Sequence, residues 1–191
     1  MNNIWKIYFE NTKNQPPRPL LVKALSFVKE KGLALDLGSG ALNDSIYLLN
    51  EGFKHVVALD KEPIALEIAN NLPPDRLEYI IESFETFRFP KESYDLINAQ
   101  YSLPFINPTN FNETFKKIVE SLKPGGIFTG QLFGDKDEWS KNINMTFQKR
   151  EEVEELLKGL NILSFEEEER DRPTAAKEMK HWHVFHFIVE K

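Results

Sequence analysis

The chain contains no cysteine. Disulfides, zinc–thiolate sites and cysteine nucleophiles are therefore excluded, and the composition fits a reducing, cytoplasmic setting. No apolar run approaches the roughly 18 residues that a membrane span requires, which argues against a membrane partner. The opening residues, MNNIWKIYFENTK, lack the basic start, apolar centre and cleavage site of a signal peptide. An excess of basic residues is also missing: 24 Lys and Arg stand against 30 Asp and Glu, a net charge of −6. Nucleic-acid affinity rests mainly on clustered Lys and Arg, so this balance argues against nucleic acid as a partner. With 191 residues, 41% hydrophobic and 28% charged, the length and balance fit one soluble domain with a sizeable core. A monomer and a homodimer are both compatible with this composition.

What is present is an alternation of apolar runs and helical patterns. LALDL (33–37), HVVALD (55–60), RLEYII (76–81), YDLINAQ (94–100) and IFTGQLFG (127–134) read as strands. The segments 44–52, 62–72, 110–122 and 149–160 read as helices. Such alternation predicts βαβ units, a mostly parallel sheet and helices on both faces. Two late strands, 161–169 and 181–191, are separated only by a polar loop and are expected as an antiparallel pair at one edge. Ahead of the core (32–191) lies an arm and helix (1–31). The arm carries Ile4, Trp5, Ile7, Tyr8 and Phe9, then the helix-breaking NQPPRP. A helix over 20–32 follows, with Gly32 expected as its C-cap.

The turn LDLGSGALND (35–44) lies between the first strand and the next helix. Gly38 and Gly40 let backbone approach a ligand, and free N–H groups at a helix start favour anions. The dinucleotide fingerprint asks for a third glycine, and the chain supplies Ala41, Leu42 and Asn43 instead. Two further features accompany the turn. Asp60 ends the second strand, where a carboxylate can accept ribose hydroxyls, and LKPGG (122–126) precedes the fifth strand.

Read together, LDLGSG, VVALD, YDLINA and LKPGGIF resemble the class I S-adenosylmethionine-dependent methyltransferases, in the right order and over about two thirds of the chain. Among these the chain is most similar to small bacterial enzymes of the tellurite- and thiopurine-modifying type. The resemblance implies a Rossmann-like three-layer α/β sandwich with a seven-stranded sheet in the order 3-2-1-4-5-7-6, strand seven antiparallel. It implies S-adenosyl-L-methionine as cofactor, S-adenosyl-L-homocysteine as product, and no metal. Gly38, Ser39 and Gly40 would pass the methionine moiety along backbone, and Asp36 would position that loop or bind the amino group through water. Asp60 would take the ribose hydroxyls, with Lys61 beside the adenine. Ser83 and Phe84 fall where the family reads adenine, though the usual Asp is missing and Glu82 and Glu85 stand nearby. Asn98, Ala99 and Gln100 would lie beside the sulfur. Leu42 stands where relatives often have glycine, facing the methionine end or packing the helix start.

In open α/β sheets, ligands lie at the carboxyl ends of the strands. A methyl acceptor is therefore expected near Tyr101, Trp139 and Trp182. A general base is required only for an acceptor that carries a proton, and His181 and Asp135 are the candidates. His183 and His186 read as structural. The connection 135–147 and the NQPPRP arm are candidate lids. The leading function is methyl transfer to a small molecule by in-line displacement. The alternatives are a non-catalytic holder of cofactor or partner, motivated by the missing glycine, and an NAD-dependent dehydrogenase, which leaves LKPGG unexplained.

Overall fold

Five apolar runs become five parallel strands: β1 (Leu33–Leu37), β2 (His55–Asp60), β3 (Leu77–Ile81), β4 (Tyr94–Ala99) and β5 (Leu122–Gly134). The computed structural model describes residues 3–191, with side chains from Trp5 onward, so Met1, Asn2 and the Ile4 side chain lie outside the described residues. A two-residue strand, β6 (Phe147–Gln148), pairs parallel with the end of β5. β7 (Asn161–Pro173) and β8 (Met179–Glu190) pair antiparallel, and β8 lies antiparallel against β5. The resulting order, β3-β2-β1-β4-β5-β8-β7, is the expected 3-2-1-4-5-7-6 once the small β6 is set aside.

Helices cover both faces of this sheet. On one side α5 (Pro108–Ser121) and α6 (Arg150–Leu156) pack Phe111, Phe115, Ile118 and Val153 against Leu35, Ile97, Phe128 and Phe187. On the other, α2 (Pro19–Ala24) and α3 (Asn43–Asn50) pack Leu21, Ala24 and Leu48 against Ala34, Leu96, Ile127 and Ile188. Successive strand residues point to opposite faces, so Asp36, Asn98, Thr129 and Gln131 share the second face with Ala34, Leu96, Ile127 and Ile188. That face is apolar at the amino ends of the strands and turns polar near their carboxyl ends.

The structure differs from the sequence reading in several places. The helix expected over 20–32 stops at Ala24 and continues only as a 3-10 turn to Phe27. Gly32 is not its cap. A Cβ there would stand 2.6 Å from Oδ2 of Asp95, so the bare backbone lets that carboxylate accept the Leu33 N–H at 2.7 Å. The KPGG stretch, read as a turn, lies inside β5. It is accommodated by a register shift in which Tyr94 faces Leu122 while Leu96 faces Ile127. The helix read over 62–72 is a 3-10 turn (Pro63–Ala65) followed by a short α4 (Leu66–Ala69). The polar loop expected between the last strands is shorter, because β7 runs on to Pro173 and β8 starts at Met179. The arm forms a helix, α1 (Asn3–Thr12), and the prolines separate it from α2.

Leu42 is the N-cap of α3, with left-handed backbone (φ 62) and a fully buried side chain in the second-face core. It packs the helix start. Leu42→Gly is therefore expected to destabilise the protein by roughly 1–4 kcal/mol. Deleting a buried leucine costs about 2–5 kcal/mol, and relief of the left-handed backbone returns about 1 kcal/mol. Urea unfolding measures the sum, and an unchanged or raised midpoint would contradict the packing role.

Candidate active site

The site is assembled where β1 has β2 on one side and β4 on the other, the point at which the strand order reverses. Here Asp36, buried on β1, accepts the Ser45 hydroxyl at 2.6 Å and the Asn98 amide N–H at 2.8 Å. Asn98 also donates to Asp44 at 3.1 Å. Its own oxygen accepts from Gln100 at 2.8 Å, Gln100 accepts from Gln131 at 2.9 Å, and Gln131 accepts the backbone N–H of Tyr101 at 2.9 Å. A continuous polar chain thus crosses β1, β4 and β5 and ends by fixing Tyr101, whose backbone is left-handed (φ 57). Burial is the main cause that pushes the Asp36 carboxyl up to about 7. The charge of Asp44 adds to the rise, and the bonds from Ser45 and Asn98 oppose it. Asp44 is also raised by burial, against the pull of the Arg18 backbone N–H and Asn98.

The glycine turn closes onto β2. Gly38 and Ser39 donate their N–H groups to the Leu59 carbonyl at 2.8 and 3.2 Å. Gly38 is left-handed (φ 73), and a Cβ there would collide with Ser102 and lie 3.6 Å from the Phe84 ring. Ser102 itself donates to the Leu37 carbonyl at 2.6 Å. Asp60 receives the backbone N–H groups of Gly40 (2.9 Å) and Glu62 (3.0 Å). Burial still raises its pKa, and those two bonds counter the rise. Ser39 Oγ is buried and has no hydrogen-bond partner among the described residues. The glycine turn, the Ser39 hydroxyl and the three carboxylates raised by burial, Asp36, Asp44 and Asp60, are chemically matched to a ligand with ammonium and ribose groups. These residues fit S-adenosylmethionine.

The other expected residues fall in three places. Ser83 caps a turn that follows β3, and Phe84 leans on the glycine turn. Lys61 is exposed, and its ammonium lies 5.5 Å from the centre of the Trp5 ring on α1. Ala99 is buried at the end of β4. Tyr101, Trp139 and Trp182 meet in one aromatic cluster with Phe133: Tyr101 stands edge-on to Trp182 at 5.9 Å, and Trp139 is 5.6 Å from Trp182.

His181 and Asp135 stand outside this group. His181 hydrogen-bonds Asp171 at 2.7 Å, and that bond raises its pKa toward the imidazolium. Asp135 lies 3.6 Å from His183 Nδ1. His183 is buried: its Nδ1 accepts the Lys136 N–H at 3.2 Å, which leaves Nε2 to donate to Glu167 at 2.9 Å.

Sequence reasoning missed Asp44, Ser45, Gln131 and Arg18. Gln131 carried a signal, being a polar residue inside the apolar strand IFTGQLFG. Arg18, in the proline-rich arm, carried none. It donates its backbone N–H to Asp44 at 2.9 Å, while its guanidinium lies 5.4 Å from the centre of the Tyr101 ring. The connection 135–147 forms a 3-10 turn over Glu138–Lys141, capped by Asp137. Asp137 also receives both the Lys180 ammonium and the His183 N–H.

Residues 34–126 match a family described as a methyltransferase domain. An alpha N-terminal protein methyltransferase 1 from Dictyostelium discoideum is 31% identical over 125 residues, 63% of this chain and 42% of that protein. The chain spans less than half the length of the curated relatives it matches. The crystal structure of TehB from Haemophilus influenzae superposes with a TM-score of 0.77 at 18% identity, covering 98% of this chain and 67% of that one. A Burkholderia thailandensis 1,6-didemethyltoxoflavin-N1-methyltransferase, solved with 1,6-didemethyltoxoflavin and S-adenosylhomocysteine, superposes at 0.65 with 18% identity, over 99% and 81% of the two chains. The strand order, the glycine turn with its acidic partners and the matched methyltransferase domain resemble those of the class I S-adenosylmethionine-dependent methyltransferases, whose cofactor these residues fit.

Proposed function

We propose that residues 1–191 act as one catalytic unit that transfers a methyl group to a small-molecule acceptor by in-line displacement. The observation that carries this reading is the roof over the strand ends. Trp5 of α1 packs edge-on against Phe105 at 5.2 Å, Asn43 holds the Thr12 carbonyl at 2.8 Å, and Arg18 reaches over Tyr101. The arm flanks the proposed acceptor face on one side and the Trp139–Trp182 cluster flanks it on the other. A face flanked in this way suits a compact acceptor. The Burkholderia enzyme of like fold was solved with such a molecule, whereas the Dictyostelium relative is named for a protein acceptor.

In this reading the Gly38–Gly40 turn carries the methionine end of the cofactor and Asp36 balances its ammonium. Asp60 takes the ribose hydroxyls, with Lys61 nearby, and Ser83 and Phe84 border the adenine. Asn98, Ala99 and Gln100 border the sulfur. When bound, S-adenosylmethionine supplies an electrophilic methyl carbon on a sulfonium. Tyr101, Trp139 and Trp182 wall the acceptor side and exclude water. Holding nucleophile and carbon in line contributes up to roughly 7–11 kcal/mol to such reactions. His181 and Asp135 remain the base candidates for a protonated acceptor, His181 acting only after it loses its raised-pKa proton.

Three outcomes test this reading. Incubation with S-adenosylmethionine and a panel of thiols, selenite, tellurite, amines and phenols should release S-adenosylhomocysteine with at least one member. Cofactor binding with no turnover across the panel would favour a non-catalytic holder. Second, cofactor affinity should rise about tenfold from about pH 6 to about pH 8, with release of one proton below neutrality. Asp36 is protonated below about 7, and a bound cation favours its carboxylate. Calorimetry in buffers of different ionisation enthalpy measures this, and Asp36→Asn should weaken binding and flatten the profile. Third, removing residues 1–17 should weaken cofactor binding. Unchanged affinity would show that the arm is no roof.

A further inference from the structure

A cleft of about 230 Å³ opens on the second face of the sheet, between α2 and the antiparallel pair β7–β8. Leu20 and Lys23 form one wall. Ser164, Glu166 and Glu168 of β7 and His186 of β8 form the other. None of the residues proposed for cofactor or acceptor lines it. Strand pairing builds the second wall. Glu166 stands opposite His186 in the register, and Ser164 and Glu168 lie two residues to either side of it, the period that keeps side chains on one face.

The polar groups of this wall are acceptors that lack donors. Glu168 Oε1 and His186 Nε2 are buried, and neither has a hydrogen-bond partner among the described residues. The imidazole Nε2 and Glu168 Oε2 are 4.0 Å apart, too far to bond each other. Glu168 is only loosely held on its free side. Arg172 stands 3.4 Å from Oε1 and donates to the Tyr101 hydroxyl at 2.7 Å, while exposed Arg170 meets Oε2 at 2.9 Å. Glu166 is exposed, and among the described residues it has no ion-pair partner. Lys23, the cation of the opposite wall, is exposed and donates to the Ser164 hydroxyl at 2.8 Å. Burial is the main cause that lowers the His186 pKa; Glu168 and Glu166 oppose the fall, and Arg172 and Arg170 add to it less strongly. At neutral pH the imidazole is therefore uncharged and keeps one nitrogen lone pair. A buried acceptor without a donor is unfavourable, and a ligand that brings N–H groups removes that deficit.

We infer that this cleft is a second ligand site and that its ligand is a small primary ammonium, the cation of a short alkylamine. An ammonium carries three donors and no acceptor. Its nitrogen can stand about 2.9 Å from each of two acceptors that are themselves 4.0 Å apart. One group thus serves His186 and Glu168 together and turns its third N–H toward Glu166. The carbon chain lies along Leu20 and the methylene stem of Lys23. The volume is below the roughly 300–1,000 Å³ of drug-sized ligand sites, which restricts the ligand to a short chain. An anion would meet two carboxylates here. A quaternary ammonium would bring the charge without the donors.

The test titrates the full chain with n-butylammonium and follows the four histidine imidazoles by NMR. The His186 signal is identified as the one missing from His186→Gln, and it should shift saturably. Three further probes share the butyl chain: n-butyltrimethylammonium has the charge but no N–H, 1-butanol has a donor but no charge, and butyrate has the opposite charge. Each should bind at least about tenfold more weakly than n-butylammonium, the size expected for loss of a charge-assisted hydrogen bond. Glu168→Gln should weaken n-butylammonium by about tenfold for the same reason. Glu166→Gln removes no bond among the described residues, so it should fold normally, and it should weaken binding about two- to fivefold, as befits an exposed carboxylate. Glu169→Gln, on the opposite face of β7, should leave the affinity unchanged. A His186 signal that stays still overturns the inference. So does binding of 1-butanol, butyrate or the quaternary cation as tight as that of n-butylammonium, or an affinity unchanged in both Glu166→Gln and Glu168→Gln.

Discussion

The hydrogen bond between Asn98 and Asp36 is the constraint on which the site depends. It joins β1 to β4 at the reversal of the strand order, inside the layer where the sheet face changes from apolar to polar. A carboxylate there has lost its water, so it must be held by neighbours that donate. Ser45 and Asn98 do this on one side. Having turned its amide toward two acids, Asn98 presents its oxygen to Gln100, and the demand passes along to Gln131 and the Tyr101 backbone. The left-handed conformation of Tyr101 is over-determined by this chain, and such strain persists only where surroundings enforce it. The ring placed by that conformation then fixes where the arginines settle.

The far side of the site depends on a different interaction. Lys180 and Asp137 form a buried ion pair, and removal of charges from water is costly unless every remaining bond is made. Here Asp137 also receives the Trp139 and His183 N–H groups, and three rings surround the ammonium. Burial lowers the Lys180 pKa while Asp137 opposes the change. The pair ties the segment after β5 to the first residues of β8 and so keeps the tryptophans in place.

How much of this the sequence contained depends on the range of the interactions. Strand runs, the glycine turn and Asp60 are local patterns, and β1 to β5, Gly38, Gly40 and the paired late strands were legible from them. Leu42 was legible as an anomaly, and only its burial shows that it packs the helix start. The features that escaped are long-range. β6 has two residues and exists only because β5 lies beside it. Asp95 reaches Leu33, 62 positions away, and that contact displaced the expected role of Gly32. Arg18 meets Tyr101 across more than eighty positions of chain, with nothing in NQPPRP to mark it. Gln131 was visible as a polar residue in an apolar strand, but its partner was not. His181 was read from its position at the mouth, and the carboxylates that hold it come from the neighbouring strand.

Arg18 gives the molecule one property that neither half of the site has alone. Its peptide N–H is bonded to Asp44 of the acidic cluster proposed for the cofactor, and its guanidinium lies over Tyr101, proposed for the acceptor side. Any displacement of this residue by one ligand is therefore felt by the other. Thermodynamic linkage requires the influence to be equal in both directions. In the proposed reading, one arginine on a short arm makes the two occupancies a single coupled equilibrium.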